Sequence, residues 1–334
     1  MKAWLQLIRA PNLSSAIANI AMAFLVVHHD WLPISHLFWL IAASCCFYSA
    51  GMILNDVFDV ATDREQRPDR PIPSNRISLA TARNAGFLLL AVGLACCTGA
   101  GFLANLNIES VSEMPLLHQP MARAVLIGTL LGISIVLYDG PLKKTVMAPW
   151  VMGGCRFFNI LLGASTFVPD VGASNVDPVL ALPYSIWWIA ASIAVLISGV
   201  TLLARKEAAT EQHRPSLVFA SVILVFGLIG IALIYLCPLT HTPDFQKKIA
   251  STSINGFLIF IAVVALTVLR HVFTSVVHGT PKTIQVAVVT TLRSLVMIDA
   301  AICFLFSFGV LMYPLSVAAL MLPAMVLGKF IRST

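Results

Sequence analysis

The segment NDVFDVATDREQRPDRPIPSNRIS, Asn55 to Ser78, gathers five acidic and four basic side chains into two dozen residues of a chain that is only 11% charged. Its spacing is what could do chemistry. Asn55, Asp59 and Asp63 stand at i, i+4 and i+8, so a helix continued through them stacks all three on one face, with Asp56 beside Asp59 and Asp63 at i+3 and i+7. Carboxylates that close repel one another unless hard divalent cations sit between them. Magnesium suits such a set, because it binds through a few carboxylates and fills its other positions with phosphate oxygens and water. Arg64, Arg67 and Arg70 follow. Their planar forks match phosphate oxygens, and Pro68, Pro71 and Pro73 stiffen the chain between them. A plain charged loop, its acids and bases neutralising one another, is the bland reading. It is disfavoured because acids at the edge of an apolar span are costly unless used.

Further along, YDGPLKK offers Tyr138, whose ring could face a carbocation, and Lys143 and Lys144, point charges able to reach phosphate oxygens. Interfacial anchoring by the tyrosine and lysines explains the same motif equally well. Arg156 and Asn159 lie in MGGCRFFNILLGAS, and an arginine that far into an apolar helix faces a partner or a wet cavity. In LLARKEAATEQHR, Glu207 and Glu211 keep an i, i+4 spacing that could bind a second metal. Arg205, Lys206 and Arg214 could equally neutralise them as a solvated loop, and His213 reads as a loop histidine. Arg293 and Asp299, six residues apart, are not same-face partners, so each is expected to contact another helix. His28, His29, Asp30 and Trp31 fit an interfacial turn with an aromatic anchor. Gly128 and Gly132 in GTLLG fit close helix packing rather than a nucleotide loop.

The elements that must hold these residues are helices in lipid. Of 334 residues 58% are hydrophobic, and a mean hydropathy of +0.90 leaves too little polar surface to cover a soluble domain. Apolar windows of about 20 residues recur along the chain. The expected spans are 13–29, 36–54, 79–104, 122–138, 147–167, 183–204, 215–237, 252–272, 285–309 and 314–330, nine or ten helices in one membrane domain over 1–334. The continuous runs argue against a β-barrel, whose strands alternate. The first span reads as retained, since no cleavage-like site follows it. Seven cysteines lie in or beside apolar segments without metal-type spacing. The net charge of +6 follows topology rather than a nucleic-acid patch. With Lys2 and Arg9 inside, the bias of lysine and arginine puts the Asn55–Ser78 segment, YDGPLKK and RKEAATEQHR on one cytoplasmic face.

NDVFDVATD resembles the N-D-x-x-D-x-x-x-D signature of the UbiA superfamily of intramembrane prenyltransferases, and RPDRPIPSNRIS resembles the segment that follows it there. LIRAPNLSSAIANI, YDGPLKK and MGGCRFFNILLGAS match in order, so the resemblance runs from residue 5 to about residue 210. It implies an all-α polytopic bundle of nine helices around a central cavity, and magnesium-dependent transfer of a prenyl group from an isoprenoid diphosphate to a lipophilic acceptor, aromatic or otherwise. Carried over by position, Asp56, Asp59 and Asp63 would hold Mg2+ on the diphosphate, assisted by Asn55, with Arg67, Arg70 and Lys144 nearby and Tyr138, Lys143, Arg156 and Asn159 lining the site. The family's second aspartate motif is absent; Glu207 and Glu211 stand in its place. That departure keeps a second reading open, an inactive member that binds or exports an isoprenoid or other amphiphile. An ion-coupled transporter is weaker, since the acids gather at one face rather than at the midplane. The expected setting is a cell inner membrane, with no nucleic-acid partner.

Overall fold

A computed structural model describes residues 2–109, 111–169, 175–207, 214–236 and 251–330. Among them the chain is helical: α1 (Lys2–Leu7), α2 (Leu13–His28), α3 (Ile34–Phe58), α4 (Val60–Gln66), α5 (Leu79–Asn105), α6 (Pro120–Asp139), α7 (Ala148–Gly163), α8 (Tyr184–Glu207), α9 (Arg214–Ala232), α10 (Ser251–His278), α11 (Pro281–Phe306), α12 (Met312–Ala319) and α13 (Met321–Phe330). Eight described helices are long and apolar enough to cross a membrane, so this is a membrane helical bundle. Successive long helices pack side by side, and α11 closes the ring against α2. The second helix also touches α3 and α7 and is buried along nearly its whole length, so it lies nearest the centre.

Small residues let the backbones approach, as expected where lipid supplies no hydrophobic drive between helices. A Cβ on Gly199 would stand 2.5 Å from Leu224 N, and one on Gly128 would stand 2.7 Å from Cys97 Sγ. The expected tenth span is two short helices instead, parted at Leu320. Pro323 explains the break: its ring meets the carbonyl of Ala319, four residues back, and it offers no N–H to continue the ladder.

The two ends of the bundle differ. One, the acidic pole, is made by the C-terminal end of α3, by α4, by the turn after α6 and by the C-terminal end of α8. The opposite pole holds the connections α2–α3, α5–α6 and α7–α8. There the fully buried Arg123 of α6 donates to the carbonyls of Ser165 (2.9 Å), Leu180 (2.6 Å) and Phe167. Asp177 accepts from the N–H of Val179, Leu180 and Leu182 and from Trp187 Nε1, all within 2.7–2.9 Å. Burial alone would raise the Asp177 carboxyl, yet these donors, led by the Leu180 and Leu182 amides, hold it below the usual carboxylate range.

Candidate active site

The third helix ends at Phe58, Asp59 has left helical geometry, and α4 begins at Val60. The i to i+4 ladder nevertheless survives the joint: Asp59 N donates to Asn55 O, Asp63 N to Asp59 O and Arg67 N to Asp63 O, at 2.9–3.0 Å. The fourth helix stops where Arg67 leaves helical geometry before Pro68, since proline disfavours helical backbone in the residue that precedes it. The chain then folds back. Ile72 and Ile77 bury themselves with Leu7, Ile53 and Ala82 in a satellite core between α1, α3 and α5, and this apolar anchor returns Arg70 to the acids.

Arg70 Nη1 lies 3.2 Å from Asp56 Oδ1 and 2.6 Å from Asp63 Oδ2, with all three side chains buried. Arg9 Nη2 adds a contact of 3.4 Å to Asp56 Oδ1. Asp59 turns the other way, where Lys143 Nζ donates to both Asp59 Oδ2 and Asn55 Oδ1. Helical geometry explains the division: seven residues bring Asp63 within about 20° of Asp56, while Asp59 is about 60° away. The expected three-carboxylate cluster is therefore corrected to two pairs, Asp56 with Asp63 and Asn55 with Asp59. Among the described residues no three His, Cys, Asp or Glu side chains stand close enough to share a metal. The donor chemistry still fits magnesium, which needs only one or two carboxylates when phosphate supplies further oxygens. One guanidinium already bridges Asp56 and Asp63.

Lys143 arrives by a tight reversal. A Cβ on Gly140 would stand 3.0 Å from Val136 O; Pro141 follows, and Leu142 N donates to Leu137 O at 2.9 Å. Arg205 of α8 holds the turn by donating to Thr145 O at 2.8 Å. Tyr138 is half-buried here, while Arg67 and Lys144 are exposed and form no ion pair among the described residues. Glu207 is described only as the last residue of α8, and Glu211 and His213 lie outside the described residues.

Arg156 and Asn159 make their hydrogen bonds with other groups, although Arg156 is within electrostatic reach of Tyr48. Arg156 donates to Asn19 Oδ1 (3.1 Å) and Ser15 Oγ (2.9 Å), and Asn19 Nδ2 donates to both oxygens of the fully buried Asp299 at 2.8–3.0 Å. Asn159 accepts from Ser44 Oγ (2.7 Å) and donates to Ala16 O (3.2 Å). This polar layer ties α2, α3, α7 and α11 together, and it gives Asp299 a partner 280 residues away. Two cavities lie elsewhere. One of about 490 Å³ is an apolar groove between α9 and α10. The other, of about 600 Å³, is at the opposite pole beside His28 and His36. Neither is the central cavity expected from the resemblance.

The sequence missed three members of the pole. Arg9, Tyr48 and Asp139 stand within electrostatic reach of one another or of Asp56. Arg9 reads from sequence only as an N-terminal positive charge, and Asp139 is not singled out; an acid on the last turn of an apolar span is the signal available for it.

The model of the UbiA prenyltransferase family matches residues 16–334. Digeranylgeranylglyceryl phosphate synthase of Methanocaldococcus jannaschii is 29% identical over 169 residues, covering 48% of this chain and 58% of that one. The protein of the same name from Sulfurisphaera tokodaii is 34% identical over 96 residues, 28% of this chain and 34% of that one. These matches thus span only 34% to 58% of the two relatives' lengths. A solved structure of digeranylgeranylglyceryl phosphate synthase has a TM-score of 0.61 at 18% identity, covering 92% of this chain and 98% of that one. A UbiA homologue from Aeropyrum pernix gives 0.59 at 15% identity, covering 88% and 97%. At such identities the likeness is one of fold.

Proposed function

Because the chain belongs to the UbiA prenyltransferase family, we propose that it transfers a prenyl group from an isoprenoid diphosphate to a lipophilic acceptor at the acidic pole. The observation that carries this is the ladder from Asn55 to Asp63, ending an apolar span and faced by Lys143 and Arg70. Magnesium would be held by the two pairs separately, Asp56 with Asp63 and Asp59 with Asn55 assisting, and, when bound, would supply neutralising charge to the leaving diphosphate. Lys143 and Arg70, with Arg67 and Lys144 outside them, bind and orient phosphate oxygens as cations. Tyr138 lies at the boundary between these charges and the apolar helices, where its ring is suited to an allylic cation. The apolar helices exclude water that would otherwise intercept that cation. The name of the similar relatives, digeranylgeranylglyceryl phosphate synthase, supports a glycerol-phosphate lipid as the acceptor. Glu207 and Glu211, at the end of α8 and beyond it, are the candidates for a second metal position. The lysine and arginine bias favours a cytoplasmic acidic pole in an inner membrane.

A second reading, binding or export of an amphiphile without chemistry, is favoured by one observation: Asp56, Asp59 and Asp63 are already answered by the chain's own cations. One experiment separates the two. Purified protein is incubated with magnesium and diphosphates of several chain lengths, and diphosphate release and extracted lipids are measured. Release is expected for the native chain, falling about 10²- to 10³-fold in Asp56→Ala and Asp59→Ala. Diphosphate binding without any product would support the second reading, and undiminished turnover in both variants would refute the first.

A further inference from the structure

Asp56, Asp59 and Asp63 each meet a cation. Asp139 differs: it is only 4% exposed and makes no direct hydrogen bond or ion pair among the described residues, and Lys143 and Arg9 act on it only at longer electrostatic range. Burying a carboxyl without a direct hydrogen-bond partner carries a cost, so its retention asks for a use. Its place suggests one. Gly51, Asn55 and Asp59 follow at i, i+4 and i+8 on α3, and a Cβ on Gly51 would stand 3.9 Å from Asp139 Oδ2. Lys143, four residues beyond Asp139, meets Asn55 and Asp59. Asp139 therefore lies about one helical turn, roughly 6 Å, deeper in the bundle than the Lys143 ammonium. A diphosphate held by Lys143 with its chain running into the apolar interior would present its C1 carbon at the depth of Asp139.

Resting on the prenyl-transfer reading, we propose that Asp139 is the catalytic proton acceptor for an acceptor hydroxyl, so that the reaction is O-prenylation. The C1–O bond of the allylic diphosphate breaks and its electron pair leaves with the diphosphate. A lone pair of the acceptor hydroxyl forms the new C1–O bond, and the O–H pair stays on that oxygen. The proton passes to a carboxylate oxygen of Asp139 and from there to solvent at the pole. The products are an ether, diphosphate and a proton, and no oxidant or reductant is needed. An acceptor presenting a carboxylate to this point would be repelled, whereas a neutral hydroxyl hydrogen-bonds to it.

The test uses the full chain in lipid nanodiscs with magnesium, geranylgeranyl diphosphate and two hydroxyl probes, geranylgeranylglyceryl phosphate and a benzoquinol. Ether formation and diphosphate release are followed separately for the native chain, Asp139→Asn and Asp139→Glu. In Asp139→Asn the kcat for ether formation should fall by about 10²-fold or more, with KM for the donor unchanged. Slow solvolytic release of diphosphate without acceptor should persist, since ionisation precedes the proton transfer, and Asp139→Glu should recover part of kcat. Asp139→Asn that keeps most of its ether formation overturns the assignment. So does a variant that loses donor binding together with turnover, which marks a structural role. A native chain that releases diphosphate but alkylates neither oxygen overturns the hydroxyl acceptor alone. A native chain that releases none removes the prenyl-transfer reading, and this proposal with it.

Discussion

Each pole of the bundle buries an arginine, and the two are answered differently. At the opposite pole Arg123 spends its donors on three backbone carbonyls, and Asp177 takes three backbone amides and an indole N–H. At the acidic pole Arg70 meets the side chains of Asp56 and Asp63, and Lys143 meets those of Asn55 and Asp59. Backbone partners are fixed by the fold and cannot be exchanged without unmaking a loop. Side-chain partners can be traded for a cation or a phosphate by rotamer changes alone. The same residue type therefore serves as a clasp at one end and as an exchangeable counter-ion at the other.

The largest effect expected from this contrast comes from removing each arginine in turn. Arg123→Leu strands three carbonyls in the α7–α8 connection, at about 1–3 kcal/mol for each group left unpaired, so a loss of at least about 3 kcal/mol is expected. Thermal unfolding in detergent should shift strongly downward, while turnover per folded molecule stays unchanged. Arg70→Met should do the reverse, with donor affinity about tenfold weaker and a smaller loss of stability, because Asp56 keeps Arg9 as a partner and Asp63 alone loses its cation. Equal stability losses, or a folded Arg123→Leu that no longer turns over, would break the contrast.

A smaller effect tests the clasp through pH. The Asp177 carboxyl is held below the usual carboxylate value of 3.8, so the stability it contributes is fully present above that value. It is lost as pH falls from there through the lower folded value. Asp177→Asn should cost about 1–2 kcal/mol at neutral pH and flatten the acid limb of the unfolding profile relative to the native chain. An unaltered acid limb would mean that the backbone amides do not favour the charged carboxylate.

The sequence disclosed the acidic pole better than the interior. Apolar runs and the Asn55–Asp63 spacing are local signals, and helices with an i, i+4 ladder follow from them. Tyr138 and Lys143 were legible because one short motif carries both. What was hidden is either long-range or angular. No spacing reveals that Asn19 answers Asp299 or that Arg9 reaches Asp56. Arg156 and Asn159 looked like site residues because their types are unusual in an apolar helix, and the structure instead gives both of them helix-to-helix partners. The division of the three aspartates between Arg70 and Lys143 depends on about 60° of helix rotation and on a loop return set by Ile72 and Ile77. Pro323, which parts the last expected span, is a local signal of that break in the sequence.

The mildest change concerns the outer rim. Arg67 and Lys144 are exposed and hold no ion pair among the described residues, so neither clasps the fold nor neutralises an acid. Their contribution is to the field that draws a multiply charged diphosphate toward Lys143 and Arg70, and such a field is screened beyond about 10 Å at 0.1 M salt. The double variant Arg67→Ala/Lys144→Ala should raise KM for the donor a few-fold at low ionic strength, and that difference should shrink as salt is added. Stability should stay within about 0.5 kcal/mol of the native chain, and kcat should hold. A fall in kcat that salt does not affect would place one of the two in direct contact with the reacting phosphate. The boundary between exchangeable counter-ions and solvated rim would then lie further out than the ion pairs around Arg70 and Lys143 suggest.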